Sequence, residues 1–342
     1  MSSHLAISSP KRDSRTQRDW ESFFPYYAGY SESFASAILA SAKLNPAAIV
    51  LDPWNGSGTT TFAASQLGIK SCGLDLNPAM VIVARSRLLS PSEADSLIPL
   101  ARKLLSGAKF EREVSESDPL TIWFGPRTAA HIRAVERQIR AHLVGEHSLR
   151  SDGVRLDQIS GIASTFYVAL FSVCRALASR YLSSNPTCLR YPKSGERKAK
   201  SSMAYIHKSM LESISAMSSA LLMNRRHGDP SRAPSNTMAA DSTSYRFKAN
   251  SIDFILTSPP YCTRIDYTAA TRIELAVLDP LLKGEPEELR RSMLGSTLAP
   301  KHRIEVASDW GGGSYCFSRR VALSSIKGIA RLLLSYSYRL LR

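Results

Sequence analysis

The sequence predicts an α/β fold in which a parallel sheet is interrupted by a large helical insertion. Three observations predict it. Residues 47–78, "AAIVLDPWNGSGTTTFAASQLGIKSCGLDLNP", read as strand, glycine loop, helix and strand, a βαβ unit whose strands must run parallel. Two further short runs, "NTMAAD" (236–241) and "SIDFIL" (251–256), resume the strand pattern much later. Between the βαβ unit and these runs, residues 81–234 carry helical periodicity in "TAAHIRAVERQIRAHL" and "ISGIASTFYVALFSVCRALASRYL".

Taken in order, residues 1–19 are expected to form a flexible lead-in, with no apolar stretch of the kind a signal peptide needs. "FFPYYAGYSESFASAILASAKL" (23–44) turns from an aromatic loop into a helix. Ser31 or Ser33 is placed to cap it, and Phe34, Ile38 and Leu39 give it an apolar face. The first strand is ended by Pro53, and the helix after the glycine loop is stopped by Gly68. The second strand ends at Asp75, just before Asn77 and Pro78. Within the insertion, "LRYPKSGERKAK" (189–200) and "MNRRHGDPSRAPSN" (223–236) are basic and loop-like. After the fourth strand, "YTAATRIELAVLDPLL" (267–282) is expected to be helical. Residues 298–316 are irregular, and "SSIKGIARLLLSYSYRLLR" (324–342) reads as an amphipathic helix.

Composition narrows the function classes. A net charge of +15 over 342 residues favours a polyanionic partner, nucleic acid before an acidic membrane surface. No apolar run reaches membrane-spanning length. The five cysteines, Cys72, Cys174, Cys188, Cys262 and Cys316, are odd in number and form no C-x-x-C pair. A zinc framework or a disulfide scaffold is therefore not expected, and a cytoplasmic setting is.

The loop from Asp52 to Thr60, "DPWNGSGTT", has glycines that let a ligand approach the backbone. A phosphate-cradling loop would carry a Lys-Ser/Thr pair where Thr59-Thr60 stand. A dinucleotide fingerprint would want a small residue at Thr61 and would be repelled by Asp52. S-adenosylmethionine has no phosphate and carries an ammonium and a sulfonium. Asp52 suits the ammonium, and Asp75 suits the ribose hydroxyls.

The fourth strand runs into "TSPPY", from Thr257 to Tyr261. Methylating an amino group on a base requires acceptors for both N–H bonds, so that the lone pair turns toward the sulfonium methyl. Ser258 offers a hydroxyl and Pro259 a carbonyl. Pro259 and Pro260 fix the backbone that presents them, and Tyr261 offers a ring to stack on the base. No covalent intermediate is needed, so Cys262 reads as a small buried residue and no metal is called for.

With both motifs in hand, the chain resembles the DNA amino-methyltransferases, which modify exocyclic nitrogens of cytosine or adenine. "LDPWNGSGTTTFAASQLGIKSCGLDLNP" is similar to their cofactor motif, with Trp54 in place of the usual phenylalanine, and "TSPPY" is similar to their catalytic motif. Serine in its first variable position is typical of the cytosine-N4 enzymes, while aspartate or asparagine is typical of the adenine-N6 enzymes. The resemblance covers roughly residues 20–80 and 236–300. It implies a class I, Rossmann-like methyltransferase domain made of residues 20–80 and 235–342. It places the cofactor on Asp52, Pro53, Asn55, Gly56, Gly58, Thr59, Asp75, Asn77, Asp241 and Thr257, and the target base on Ser258, Pro259, Pro260 and Tyr261. It further implies a base flipped out of DNA. The insertion, residues 81–234, then becomes the expected target-recognition region, with Arg190, Lys193, Arg197, Lys198 and Lys200 as phosphate contacts. The expected product is N4-methylcytosine, in a restriction-modification or phage-defence setting. The alternatives are an adenine-N6 enzyme, an RNA methyltransferase, and a non-catalytic subunit or remnant. Only four strands are placed where the family sheet has seven. Missing C-terminal strands would imply a truncated product or a split enzyme completed by a second polypeptide.

Overall fold

The computed structural model describes residues 9–10, 23–24, 29–145, 149–150, 153–154, 156–183, 188–226, 232–260, 268–282, 289 and 292–293. Tyr261, Cys262, Cys316, most of the lead-in and the expected C-terminal helix lie outside the described residues, and with them the question of further strands.

Helix α1 (Glu32–Ser41) starts where Ser31 caps it, the Ser31 hydroxyl accepting from the Phe34 N–H at 3.3 Å. Of the two candidate caps, Ser31 is therefore the one used. Strand β1 (Ile49–Asp52), helix α2 (Thr59–Gln66) and strand β2 (Lys70–Asp75) form the expected βαβ unit. Gly68, at φ +70°, turns the chain out of α2, a backbone angle that favours glycine. Helix α3 (Pro78–Arg87) begins with Asn77 as cap and Pro78 in its first turn. A small apolar cluster, Tyr30, Ala35, Leu39, Val50, Ala63 and Ala64, joins α1 and α2 to the sheet.

Strands β3 (Ser235–Ala239) and β4 (Phe254–Ile255) complete a four-stranded parallel sheet in the order β3-β2-β1-β4. Val50 stands opposite Ser71 on one side and Phe254 on the other, and Asp75 stands opposite Ala239. The chain moves outward from β1 to β2 to β3, then returns to the far side of β1. That reversal is a topological switch point, where ligands settle at the carboxyl ends of strands. Strand β4 is shorter than the expected residues 251–256. At its start the Asp253 carboxylate takes the Ile49 N–H at 2.8 Å, so a side chain substitutes for a ladder carbonyl. At its end the Leu256 N–H still reaches the Leu51 carbonyl at 3.1 Å, and the prolines then stop the pairing.

The insertion is richer in helix than its periodicity announced. It holds α4 (Ala94–Gly107), α5 (Pro126–Ile139), α6 (Gly161–Leu177) and α7 (Met203–Arg226). Residues 223–226, read as the start of a basic loop, are the last turn of α7. The expected boundary at residue 81 falls inside α3. Helix α3 packs on α6, and Val81, Ile82 and Val83 share one core with Phe166, Leu170 and Ile214 of the insertion. The insertion is thus built onto the sheet domain through a common apolar interior rather than hung from it by linkers.

Helix α8 (Arg272–Leu278), which follows the Ser-Pro-Pro motif, is held to that interior by two arginines, the buried Arg133 and the half-buried Arg175. Arg133 donates to the Ala276 and Val277 carbonyls at 2.7 Å each and forms a forked pair with Asp118 at 2.8 and 3.0 Å. Arg175 pairs with the fully buried Glu274 and donates to the Ala270 carbonyl. Arginine suits both places because its planar fork serves several acceptors at once.

Candidate functional site

The glycine loop leaves β1 at Asp52. Its carboxylate is 3% exposed, so its charge must be satisfied within the chain. One oxygen accepts from the Trp54 N–H at 3.1 Å and the Thr257 hydroxyl at 2.6 Å. The other accepts from the Thr60 hydroxyl at 2.5 Å. Tyr30 shares a hydrogen bond with Thr60 at 2.5 Å and reaches the Leu256 carbonyl at 3.2 Å. Each hydroxyl has one proton. Thr60, which also lies 3.2 Å from the Leu256 carbonyl, gives its proton to the closer Asp52 carboxylate, and Tyr30 donates to one of Asp52, Thr60 and the Leu256 carbonyl.

The far side of the loop rests on Asp75. Its two oxygens accept from the Gly56 N–H at 2.8 Å and the Asn77 N–H at 2.7 Å. Gly58 sits at φ +80°, and a Cβ there would lie 2.7 Å from the Ala84 Cβ, so this position requires glycine for both its angle and its packing. Gly73 makes room for Asn55, whose side chain lies 2.4 Å from where a Cβ would stand. Asn55 in turn accepts from Thr61 at 3.2 Å. Burial pushes both Asp52 and Asp75 up to about 6, against the hydrogen bonds they accept; the Asp52 charge adds to the effect on Asp75.

Asp241 follows β3, and the Ala240 N–H bonds the Asp75 carbonyl at 3.1 Å. Its carboxylate accepts from Thr243, N–H at 2.9 Å and hydroxyl at 2.7 Å, which folds a tight turn. Asp75 and Asp241 are both half-buried and close two neighbouring strands. Asn77 is buried and caps α3 through its oxygen, while its amide nitrogen donates to Thr271 at 2.8 Å. Thr59 is buried and Pro53 half-buried in the loop. Ser258 and Pro260 are half-buried and Pro259 is exposed; Tyr261 lies outside the described residues.

The two motifs read from the sequence therefore meet in space. The β1–β4 pairing sets Leu51 opposite Ile255, and Thr257 closes onto Asp52. Three participants had not been singled out: Tyr30, Thr60 and Arg87. Thr60 was visible within the loop as a hydroxyl next to the carboxylate motif. Arg87 had no local signal. It lies at the end of α3 and donates to the Ser57 carbonyl at 3.2 Å, and it pairs with Glu32 at 3.1 Å.

The five basic candidates separate into two kinds. Arg190 forms a forked pair with Glu196 at 2.7 and 2.8 Å, and its guanidinium stands over the Tyr181 ring. It is a brace within the segment rather than an open cation. Lys193, Arg197, Lys198 and Lys200 are exposed.

The donor set decides what the loop suits. Two carboxylates stand where a phosphate would have to sit, so the loop fits a ligand with hydroxyls and positive charge better than a nucleotide phosphate. Cys72, on β2, has its thiol pushed up to about 11 by burial and is no nucleophile. Among the described residues no cluster suits a metal ion, and no helix is long and apolar enough to cross a membrane.

A carboxylate-flanked glycine loop at the switch point of a parallel four-stranded α/β sheet is consistent with the class I methyltransferase fold. Particular relatives agree with that class. The chain is similar to the type II methyltransferase M.BsoBI of Geobacillus stearothermophilus, 23% identical over 86% of this chain and 59% of that protein. It is also similar to the type II methyltransferase M.AvaI of Nostoc sp. and of Anabaena variabilis, 23% identical over 95% of this chain and 66% of each. It thus spans less than two thirds of the length of these relatives. No family model matches the chain, and no solved structure matches it.

Proposed function

We propose that this chain is an S-adenosylmethionine-dependent DNA methyltransferase that modifies the exocyclic amino group of a flipped base, with cytosine N4 as its target. The observation that carries the reading is the join between the two loops, Thr257 to Asp52 at 2.6 Å across the β1–β4 pair. It puts a loop suited to a cationic cofactor beside a loop suited to a planar amino group. The likeness to M.BsoBI and M.AvaI and the net charge of +15 point the same way.

When bound, S-adenosylmethionine supplies an electrophilic methyl group on a sulfonium. In this reading Asp75 holds the ribose hydroxyls and Asp241 the adenine edge. Asp52, with Pro53, Asn55, Gly56, Gly58 and Thr59, shapes the loop around the methionine part, and Thr257 fixes the height of the catalytic segment. Asn77 supports the loop from below as the cap of α3. The Ser258 hydroxyl oxygen and the Pro259 carbonyl accept the two N–H bonds of the target amino group, which turns its lone pair out of conjugation with the ring. Pro259 and Pro260 keep these acceptors fixed, so little reorganisation is needed during transfer. Tyr261 stacks on the base.

The test is direct. Wild type and Ser258→Ala are expressed in a host without methylation of its own, and the digested DNA and RNA are analysed by mass spectrometry. N4-methylcytosine in DNA from wild type, and its loss in Ser258→Ala, is the expected result. N6-methyladenine alone would overturn the choice of base, and modification confined to RNA would overturn the choice of nucleic acid. No modified base at all, with cofactor bound, would point to a non-catalytic subunit.

A further inference from the structure

The basic segment of the insertion is an anchored excursion rather than a loose loop. At one end the Arg190 N–H bonds the Tyr181 carbonyl at 2.9 Å. At the other, Ala199 pairs with Phe124, through the Ala199 N–H to the Trp123 carbonyl at 2.8 Å and the Gly125 N–H to the Ala199 carbonyl at 3.0 Å. Between them Glu196, the one acid in residues 188–200, takes the Arg190 fork and the Lys193 N–H. Glu196 is thereby held low, at about 2, by the Arg190 hydrogen bonds first. Its charge is spent on Arg190. The four exposed cations Lys193, Arg197, Lys198 and Lys200 have no other acid within the segment to offset them.

The excursion is also bolted to the catalytic side of the molecule. Tyr191 stacks on the buried Trp123, with rings 5.8 Å apart and 17° from parallel. The guanidinium of Arg272 stands over Tyr191, 4.5 Å from its centre, and donates to the Leu189 carbonyl at 3.4 Å. Trp123 adds an N–H to the Arg190 carbonyl at 3.0 Å. Arg272 is the first residue of α8, the helix that follows the Ser-Pro-Pro motif. Directly before it, Thr271 takes the amide of Asn77, which caps α3 beside the glycine loop. One short stretch, Thr271-Arg272, thus touches both the basic excursion and the support of the cofactor loop.

We propose that the Trp123–Tyr191–Arg272 stack sets the register between DNA phosphates held on Lys193, Arg197, Lys198 and Lys200 and the base presented to Ser258 and Pro259. This rests on the methyltransferase reading above. The four cations supply affinity, and the stack supplies alignment. Arg272 and Tyr191 are positioning residues, since they act through the segments they join. The division follows from the geometry: the four cations are exposed and make no part of the stack, whereas Tyr191, open to solvent along one edge, is held between the buried Trp123 and the guanidinium of Arg272.

Two sets of variants test it, with duplex host DNA and S-adenosylmethionine as probes. Neutralising Lys193, Arg197, Lys198 and Lys200 to Gln together should raise KM for DNA and flatten its salt dependence, by about 0.9 in logarithmic slope for each phosphate left without its cation. kcat at saturating DNA should hold. Arg272→Ala and Tyr191→Ala should do the reverse: cofactor and DNA affinities within about twofold of wild type, and kcat lower by about 10- to 100-fold, the scale of a small misplacement. Their double variant should be no worse than either alone, as for two parts of one device. Tyr191 is 54% exposed, so Tyr191→Ala keeps the test open if Arg272→Ala fails to fold. Unchanged kcat in folded Tyr191→Ala overturns the proposal. So does a loss of cofactor binding in step with kcat, which would mark a general structural defect. A wild type that binds no cofactor and methylates nothing removes the underlying reading itself, and this inference with it.

Discussion

The carboxyl ends of β1 and β2 are alike in chemistry and different in reach. Each ends in an aspartate at the glycine loop, and each carboxyl is pushed up to about 6 by burial. Asp75 spends its oxygens on the backbone N–H groups of Gly56 and Asn77, so it shapes the loop. Asp52 spends its own largely on the hydroxyls of Thr60 and Thr257, one of which lies 205 residues away along the chain. Asp75 is a former of the loop; Asp52 is a joint between loops. The same residue type at the same kind of strand end does local work in one place and long-range work in the other.

The largest expected effect is that of Asp52→Ala. It strands three donors in a site that is 3% exposed, at a cost of about 3 kcal/mol or more. Melting should show the loss, and cofactor titration should show binding abolished. Asp75→Ala strands two donors of a half-buried turn and should cost about 2 kcal/mol, with cofactor binding weakened. Equal losses of stability in the two variants would break the comparison.

Next in size is Thr257→Val, which keeps the shape and removes the link to Asp52. A net hydrogen bond to a carboxylate is worth about 1.5–3 kcal/mol. Stability should fall by that order and kcat should fall with it, because the catalytic segment loses its height on the sheet. Tyr30→Phe removes one hydroxyl at the edge of the same network and should cost about 1 kcal/mol, read as a small fall in melting temperature.

The pH dependence sharpens the same contrast. Both carboxyls rise from 3.8 to about 6 on folding, so between those values the folded chain holds protons that the unfolded chain has released. Their contribution to stability is full below the lower value and is lost as pH rises through the upper one. Cofactor affinity should run the other way, rising to a plateau as Asp75 ionises above about 6 and offers both oxygens as acceptors. Asp75→Asn should flatten the affinity profile, while Asp52→Asn and Asp75→Asn should each remove about half of the slope of the stability profile; titration calorimetry and melting across that window check each.

Much of this was legible because it is local. The βαβ unit, the Ser31 cap, the Gly58 turn and the four strands of the parallel sheet follow from residues within a few positions of one another. Helix α7 was legible in part: Ile206, Met210, Ile214, Met217 and Leu221 keep a helical spacing and are buried, but the serines between them give the stretch a loop-like composition. Helix α4 carries Pro99 inside it, which reads as a break. Arg87 and Tyr30 could not be read, since their partners depend on how distant segments pack. Arg190 looked like an open cation for the same reason: the acid that occupies it, Glu196, is six residues away, and only the fold of the loop between them brings the two together.

The 205-residue span between Asp52 and Thr257 also orders events in time. Contacts so far apart carry a large closure entropy and form late, whereas the helices between them gain from near neighbours at once. On the ribosome, β1 has no partner on its β4 side until the whole insertion has emerged. The insertion should therefore act as the chain's own holding stage, collapsing first and shortening the effective distance that β4 must cross. Pulse-labelled hydrogen exchange should find amides of α6 protected before those of Leu256, and the site complete only at the final step.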